Sequence, residues 1–192
     1  MKAFNQLIQA YFGELSHEEL EIVQSYFYEE KLKRNDFYTL SGKVCDRLSI
    51  IKSGVFRIYT LADGKEITQW ISHENQLITE VMGFFYHQPN RWNIQALSDV
   101  SLLTINKANY LKLCESLPKW NTVEKRFIVK CFAMLEDRVF SHISMTAEER
   151  YDLYYIQNQE LFNQVPLQYI ASVLGMSAET LSRIRKRKSE NS

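Results

Sequence analysis

Apolar residues first recur along this chain at helical spacing. In FNQLIQAYF, Phe4, Leu7, Ile8 and Tyr11 fall on one face of a helix. Ser16, with Glu19 three residues on, reads as a capping box that opens a second helix, HEELEIVQSYF. From about residue 27 the texture changes to short runs rich in β-branched and aromatic residues, separated by turn signals. RLSIIKSG ends at Gly54 and VFRIYTL follows at once. Asp63-Gly64 then marks a tight hairpin, because glycine takes a positive φ at no steric cost. KEITQWIS answers with alternation, which places Ile67, Gln69 and Ile71 on one face and Thr68, Trp70 and Ser72 on the other. WNIQALSDVSLLTI supplies two more strands around Ser98-Asp99. Short strands at such regular spacing predict a sandwich or small barrel.

After about residue 106 the period returns to that of a helix. NKANYLKLCESL is short and amphipathic, and Pro118 then stands where a new helix can begin. WNTVEKRFIVKCFAMLEDRVFSHIS runs without Gly or Pro, and Val123, Phe127, Cys131, Met134 and Leu135 form an apolar stripe along it. Thr146 with Glu149 is a further capping box, opening AEERYDLYYIQ. The pattern predicts an α+β chain in three parts: a β-rich unit over 1–117, a long helix over 118–145 and a helical unit over 146–192.

The last unit carries the chemistry. Pro166 suits a helix start, Ile170, Ala171, Val173 and Leu174 give that helix a packed face, and Gly175 stops it. Ser177 caps the next helix, AETLSRIRKRK, in which Leu181 and Ile184 face inward. Ala178, Glu179, Ser182, Arg183 and Arg185 are left outward, with Thr180 near the helix start. Two helices joined by a short glycine-containing turn are a helix-turn-helix, whose second helix enters the major groove by its N-terminal end. Arginine pairs bidentately with guanine and glutamate accepts from cytosine. Arg185, Lys186, Arg187 and Lys188 are suited to phosphates, which give affinity without sequence information.

Charge sharpens this reading. The chain of 192 residues is formally neutral. Residues 166–192 nevertheless hold five basic side chains and two acidic ones, a net +3 that leaves −3 on the rest. A basic end on an acidic body suits a polyanion partner for that end alone. Cys45, Cys114 and Cys131 are scattered, without CxxC or a Cys/His cluster, so a metal or iron–sulfur site and a disulfide framework are not expected. His17, His73, His87 and His142 are equally dispersed, with no paired set of the kind a jelly-roll metalloenzyme needs. GxSxG, HExxH and P-loop motifs are absent, so an enzyme is not expected. The early acids in MKAFNQLIQAYFGELSHEEL and the lack of a long apolar run lead to the expectation of a cytoplasmic protein.

The segment IASVLGMSAETLSRIRK resembles the helix-turn-helix of the CRP/FNR regulators, and IIKSGVFRIYTLADGKEIT is similar to that family's β-roll. The TAEERY and VPLQYIASVLG phrasing resembles regulators of the Bacteroidetes branch. The resemblance implies a jelly-roll-like, cyclic-nucleotide-binding-type β-roll, a dimerisation helix over 118–145, and a C-terminal winged-helix or helix-turn-helix domain. It implies that Glu179 and Arg183 read bases and that Thr180 and Gln168 contact phosphate. The implied DNA interface comprises Gln168, Ser177, Ala178, Glu179, Thr180, Ser182, Arg183, Arg185, Lys186 and Arg187. The Ala178 position departs from members with Arg there, which points to a different half-site. Homodimerisation through the stripe from Val123 to Leu135 would set two recognition helices roughly 34 Å apart on a palindrome, and RNA polymerase is a further candidate partner.

Members that bind cyclic nucleotides carry Phe-Gly-Glu before a short helix and an Arg followed by Ser or Thr about ten residues on. Here the matching positions are Ile78-Thr79-Glu80 and Asn90-Arg91-Trp92. Glu80 is kept, Thr79 replaces the glycine that lets backbone approach a phosphate, and Trp92 replaces the hydroxyl. Thr79, Glu80, Asn90, Arg91 and Trp92 are thus the candidate effector residues. Cyclic nucleotide is one candidate effector; a different small ligand, or none, is the alternative. A β-roll protein that senses a ligand or partner without binding DNA is the second reading of the whole chain.

Overall fold

The computed structural model describes residues 7–9, 13 and 15–190. Of the N-terminal apolar face, Leu7 and Ile8 are helical and Ile8 is fully buried, whereas Phe4 and Tyr11 lie outside the described residues. Helix α1 (His17–Ser25) opens on the expected capping box, with both reciprocal bonds between Ser16 and Glu19 formed. Leu20 and Val23 are its buried positions.

The β-rich part folds into two antiparallel four-stranded sheets. One has the order β1 (Tyr28–Leu32), β8 (Val100–Asn106), β3 (Arg47–Ser53), β6 (Leu77–Ile78). The other has β2 (Phe37–Thr39), β7 (Asn93–Ala96), β4 (Phe56–Ala62), β5 (Lys65–Ser72). Ile51, Ile78 and Leu102 of the first sheet share a core with Phe56, Ile94 and Ala96 of the second. Helix α2 (Val81–Tyr86) lies in the connection from β6 to β7. At the β4–β5 hairpin Ala62 pairs with Lys65, and both central residues have positive φ, Asp63 at 51° and Gly64 at 74°, as a type I′ turn requires. Gly54 is also constrained: a Cβ there would sit 2.6 Å from the Asp99 carbonyl oxygen.

The alternation read in KEITQWIS does not survive along β5. The ladder pairs Ile58 with Trp70 but Tyr59 with Thr68, so Gln69 is the extra residue of a bulge. Ile67 is exposed, whereas Thr68 and Ile71 are buried. The period changes because one residue is left out of the pairing.

Helices α3 (Lys107–Ser116) and α4 (Trp120–Ser144) follow. The stripe predicted along α4 divides in two. Trp120, Val123 and Phe127 are buried against Leu20, Val23 and Leu113 in the chain's own core. Val123 and Phe127 are therefore corrected from an outer dimer surface to internal packing. Cys131, Met134 and Leu135 stand exposed, and Val129, Phe132, Val139, Phe140 and Ile143 extend that apolar face.

The C-terminal unit comprises α5 (Ala147–Asn158), α6 (Leu161–Gln164), α7 (Leu167–Val173) and α8 (Ala178–Glu190). Thr146 and Glu149 form the capping box of α5. No strand occurs between 107 and 190 among the described residues. The segment 159–166 joins α5 to α7 through the single turn of α6. Tyr151, Phe162, Ile170, Leu174, Leu181 and Ile184 form the core of this unit, and Val55 and Ile71 from the β-roll belong to the same cluster.

Candidate nucleic-acid interface and sensor cassette

The turn between α7 and α8 is built by hydrogen bonds that the sequence foreshadows. Gly175, at φ 65°, donates its N–H to Ser172 O (3.1 Å), and the Met176 N–H reaches Ala171 O (3.0 Å). These are the two bonds of a Schellman motif. Ser177 Oγ then accepts from the Thr180 N–H at 3.1 Å and caps α8. Leu181 and Ile184 are buried, which turns the opposite face outward.

On that outward face Ser177, Ala178, Glu179, Ser182, Arg183 and Lys186 are exposed, and Gln168 is exposed on α7. Thr180 is half-buried, its hydroxyl 3.1 Å from Ser177 Oγ. The basic cluster is not uniform. Arg185 is half-buried, with its guanidinium 5.8 Å from the Phe162 ring centroid. Arg187 pairs with Glu148, and Lys188 lies 2.7 Å from Asp152 and 3.2 Å from Glu148. The Asp152 and Glu148 carboxylates hold the Lys188 ammonium above its ordinary range. Arg183 and Lys186 are thus the cations most available to a polyanion, Lys186 having a loose contact to Glu190 at 3.8 Å. Sequence reasoning missed the role of Glu148 and Asp152. Their i, i+4 spacing on α5 was visible, but which cations they meet depends on the packing of α5 against α8.

The cassette positions of the β-roll are brought together around Cys45. The Glu80 carboxylate is buried and accepts from the Gly83 N–H at 2.8 Å, capping α2. Asn90 is buried; its amide donates to Thr39 Oγ1 and to Leu40 O (3.2 Å), and its Oδ1 accepts from the Cys45 N–H (3.0 Å). A Cβ on Gly83 would sit 2.3 Å from Asn90 Oδ1. Thr79 Oγ1 donates to Arg47 O at 2.8 Å. Thr79, Glu80 and Asn90 therefore bind the chain to itself. Arg91 is exposed, with no ion pair among the described residues, and Trp92 is half-buried.

The helical unit is docked on the β-roll. The Thr68 N–H donates to Ser172 Oγ at 2.8 Å, next to the bulge in β5. Arg57, 2% exposed, binds Thr68 Oγ1 (2.8 Å) and Glu66 (2.6 Å), with the Tyr59 and Tyr169 rings 4.2 and 3.6 Å from its guanidinium. Arg138 of α4 donates to Gln69 O and to Val173 O (3.3 Å), bridging β5 and α7. Neither Arg57 nor Arg138 was singled out from the sequence, because a buried arginine has no local signature.

A β-roll, a long helix and a pair of helices joined by a glycine turn define the architecture. Residues 29–116 match the cyclic nucleotide-binding domain family. No curated protein sequence matches the chain. Among solved structures, FixK2 from Bradyrhizobium japonicum superposes with a TM-score of 0.75 at 15% identity, covering 86% of this chain and 85% of its own. The catabolite activator protein of Thermus thermophilus gives 0.58 at 24% identity, over 94% and 86% of the two chains. The c-di-GMP-responsive global regulator CLP of Xanthomonas campestris gives 0.66 at 14%, over 92% and 93%. These neighbours are regulators of the CRP/FNR type, and the chain shares their fold. No helix among the described residues is long and apolar enough to cross a membrane.

Proposed function

We propose that this chain is a sequence-specific, DNA-binding transcription regulator of the CRP/FNR type. The observation that carries the reading is the capped helix α8. It presents Ala178, Glu179, Ser182 and Arg183 outward at its N-terminal end, while Leu181 and Ile184 anchor it. That is the part of a recognition helix that reaches base edges. Glu179 and Arg183 are the base readers, Gln168, Ser177, Thr180 and Lys186 the phosphate contacts. The exposed apolar face of α4 around Cys131, Phe132 and Leu135 supports a homodimer on a palindromic site. The TAEERY and VPLQYIASVLG segments support the Bacteroidetes-type branch, and an RNA polymerase contact belongs to the same reading.

The effector is an unidentified small ligand. Against a cyclic nucleotide in the cassette stand the internal bonds of Glu80 and Asn90 and the exposed position of Arg91. One observation favours the second reading, a β-roll protein that does not bind DNA: Arg187 and Lys188 are tied to α5. Retention on a random-duplex column near physiological salt separates the two. The regulator reading requires retention that Lys186→Ala weakens, and flow-through of the wild type rejects it.

A further inference from the structure

A cavity of about 650 Å³ lies where the end of β5, the second half of α4 and α5 meet. Its walls are mixed. Trp70, Met134, Phe140 and Leu153 supply apolar surface, and Arg138 and Tyr154 supply polar groups. The size is that of a small-molecule site, and the lining has the usual character of one: apolar walls with a few placed polar groups.

Arg138 is half-buried and pairs with no carboxylate among the described residues. Its guanidinium reaches two backbone carbonyls and lies 5.4 Å from the Trp70 ring centroid. Asp137, the carboxylate on the same wall, is exposed and does not pair with it. A guanidinium taken out of water without an anion is held at a cost, and burial pulls the Arg138 pKa down from its ordinary range. The Tyr154 hydroxyl is buried, without a hydrogen-bond partner among the described residues, and burial pushes that phenol up to about 12. A guanidinium that meets carbonyls but no carboxylate, beside apolar walls, describes one ligand chemistry.

We infer that this cavity binds a small organic anion, a carboxylate or sulfonate on an apolar body, with Arg138 as its anchor. The site is distinct from the cassette around Glu80 and Asn90. Its place in the fold gives it an effect. Arg138 joins Gln69 O of β5 to Val173 O of α7, so an oxyanion on the guanidinium competes with the bonds that dock the helix-turn-helix on the β-roll. The effect on DNA rests on the proposed regulator function; the binding does not.

The test uses the full chain and two fluorescent probes: 1-anilinonaphthalene-8-sulfonate, an aromatic anion, and its uncharged counterpart N-phenyl-1-naphthylamine. The anion is expected to bind saturably. Arg138→Gln weakens it by about tenfold, the worth of a charge-assisted hydrogen bond, and leaves the neutral probe unchanged. Leu153→Trp, at an exposed wall position, fills the cavity and removes anion binding while Arg138 is intact. Anion affinity unchanged in either variant, or equal losses for both probes in Arg138→Gln, overturns the inference. A chain that binds the anion in this way but retains no duplex keeps the site and loses the regulator function.

Discussion

The Tyr169 ring of α7 covers the Arg57 guanidinium of β4, with 3.6 Å between ring centroid and guanidinium carbon. Arg57 is 2% exposed, so this contact is made out of water, where cation–π attraction is strongest. Its charge is met by Glu66, and its Nε by Thr68 Oγ1. Thr68 in turn donates its N–H to Ser172 of α7. β5 is the edge strand of its sheet, so an N–H that faces away from β4 is free to reach Ser172, and the Gln69 bulge lies beside this bond. Tyr169→Leu is expected to cost about 2 kcal/mol of stability. It should also speed proteolysis of the segment joining α4 to α5. A chemical melt that matches wild type would contradict the contact's role.

Arg187 and Lys188 are held by Glu148 and Asp152 of α5. Glu148→Gln frees Arg187 for phosphates and leaves Lys188 with Asp152 alone. Affinity for random duplex is expected to rise several-fold at low salt, with a steeper fall as salt increases. Fluorescence anisotropy across a salt series checks both. An unchanged salt slope would show that these cations do not face the DNA.

Asn90, next to Arg91 in the cassette, makes structural bonds here. Asn90→Ala leaves the Cys45 N–H and the Thr39 hydroxyl without their partner. The expected cost is about 2–3 kcal/mol. Thermal melts should show the same loss with or without cyclic AMP, and cyclic AMP alone should not raise the wild-type midpoint. A saturable rise would mean that the nucleotide binds the native state and that the cassette works despite Thr79 and Trp92.

Three carboxylates, half-buried Glu19 and exposed Asp99 and Glu149, carry depressed pKa values: Glu19 chiefly through its hydrogen bond from Lys119, Asp99 from Lys33, and Glu149 from the Thr146 backbone. A carboxyl that is more acidic folded than unfolded stabilises the fold above its unfolded pKa. That stabilisation disappears as pH falls through the folded value. These groups are therefore expected to leave stability unchanged between pH 7 and pH 5 and to lower it below about pH 4.5. Urea midpoints across this range test the sign, and a midpoint that rises on acidification below pH 4.5 would contradict it.

Much of the architecture was legible because it rests on local rules. The capping boxes at Ser16 and Thr146, the Asp63-Gly64 hairpin and the Gly175 stop all follow from side chains acting on neighbouring backbone. The outward face of α8 followed from Leu181 and Ile184. What was not legible depends on distant partners. Val123 and Phe127 have the same spacing as Cys131 and Leu135, and only the position of α1 and α3 decides that the first two are internal. The bulge at Gln69 lies in an alternating pattern that gives no sign of it. The single turn of α6 between α5 and α7 also carried no signal of its own in the sequence. In the cassette, Thr79, Glu80 and Asn90 were found by position, but their internal bonds were hidden until Cys45 and Thr39 were placed beside them.

Sequence reading by α8 is tested by selecting duplexes from a random pool and measuring anisotropy on the winner. An enriched palindrome should bind on the order of a thousandfold or more tighter than a scrambled duplex at physiological salt. Arg183→Ala should lose about 1–3 kcal/mol of discrimination at one base pair of each half-site. Lys186→Ala should weaken all duplexes alike and reduce the salt slope by about one. Equal affinity of the wild type for selected and scrambled duplexes would mean that α8 does not read sequence.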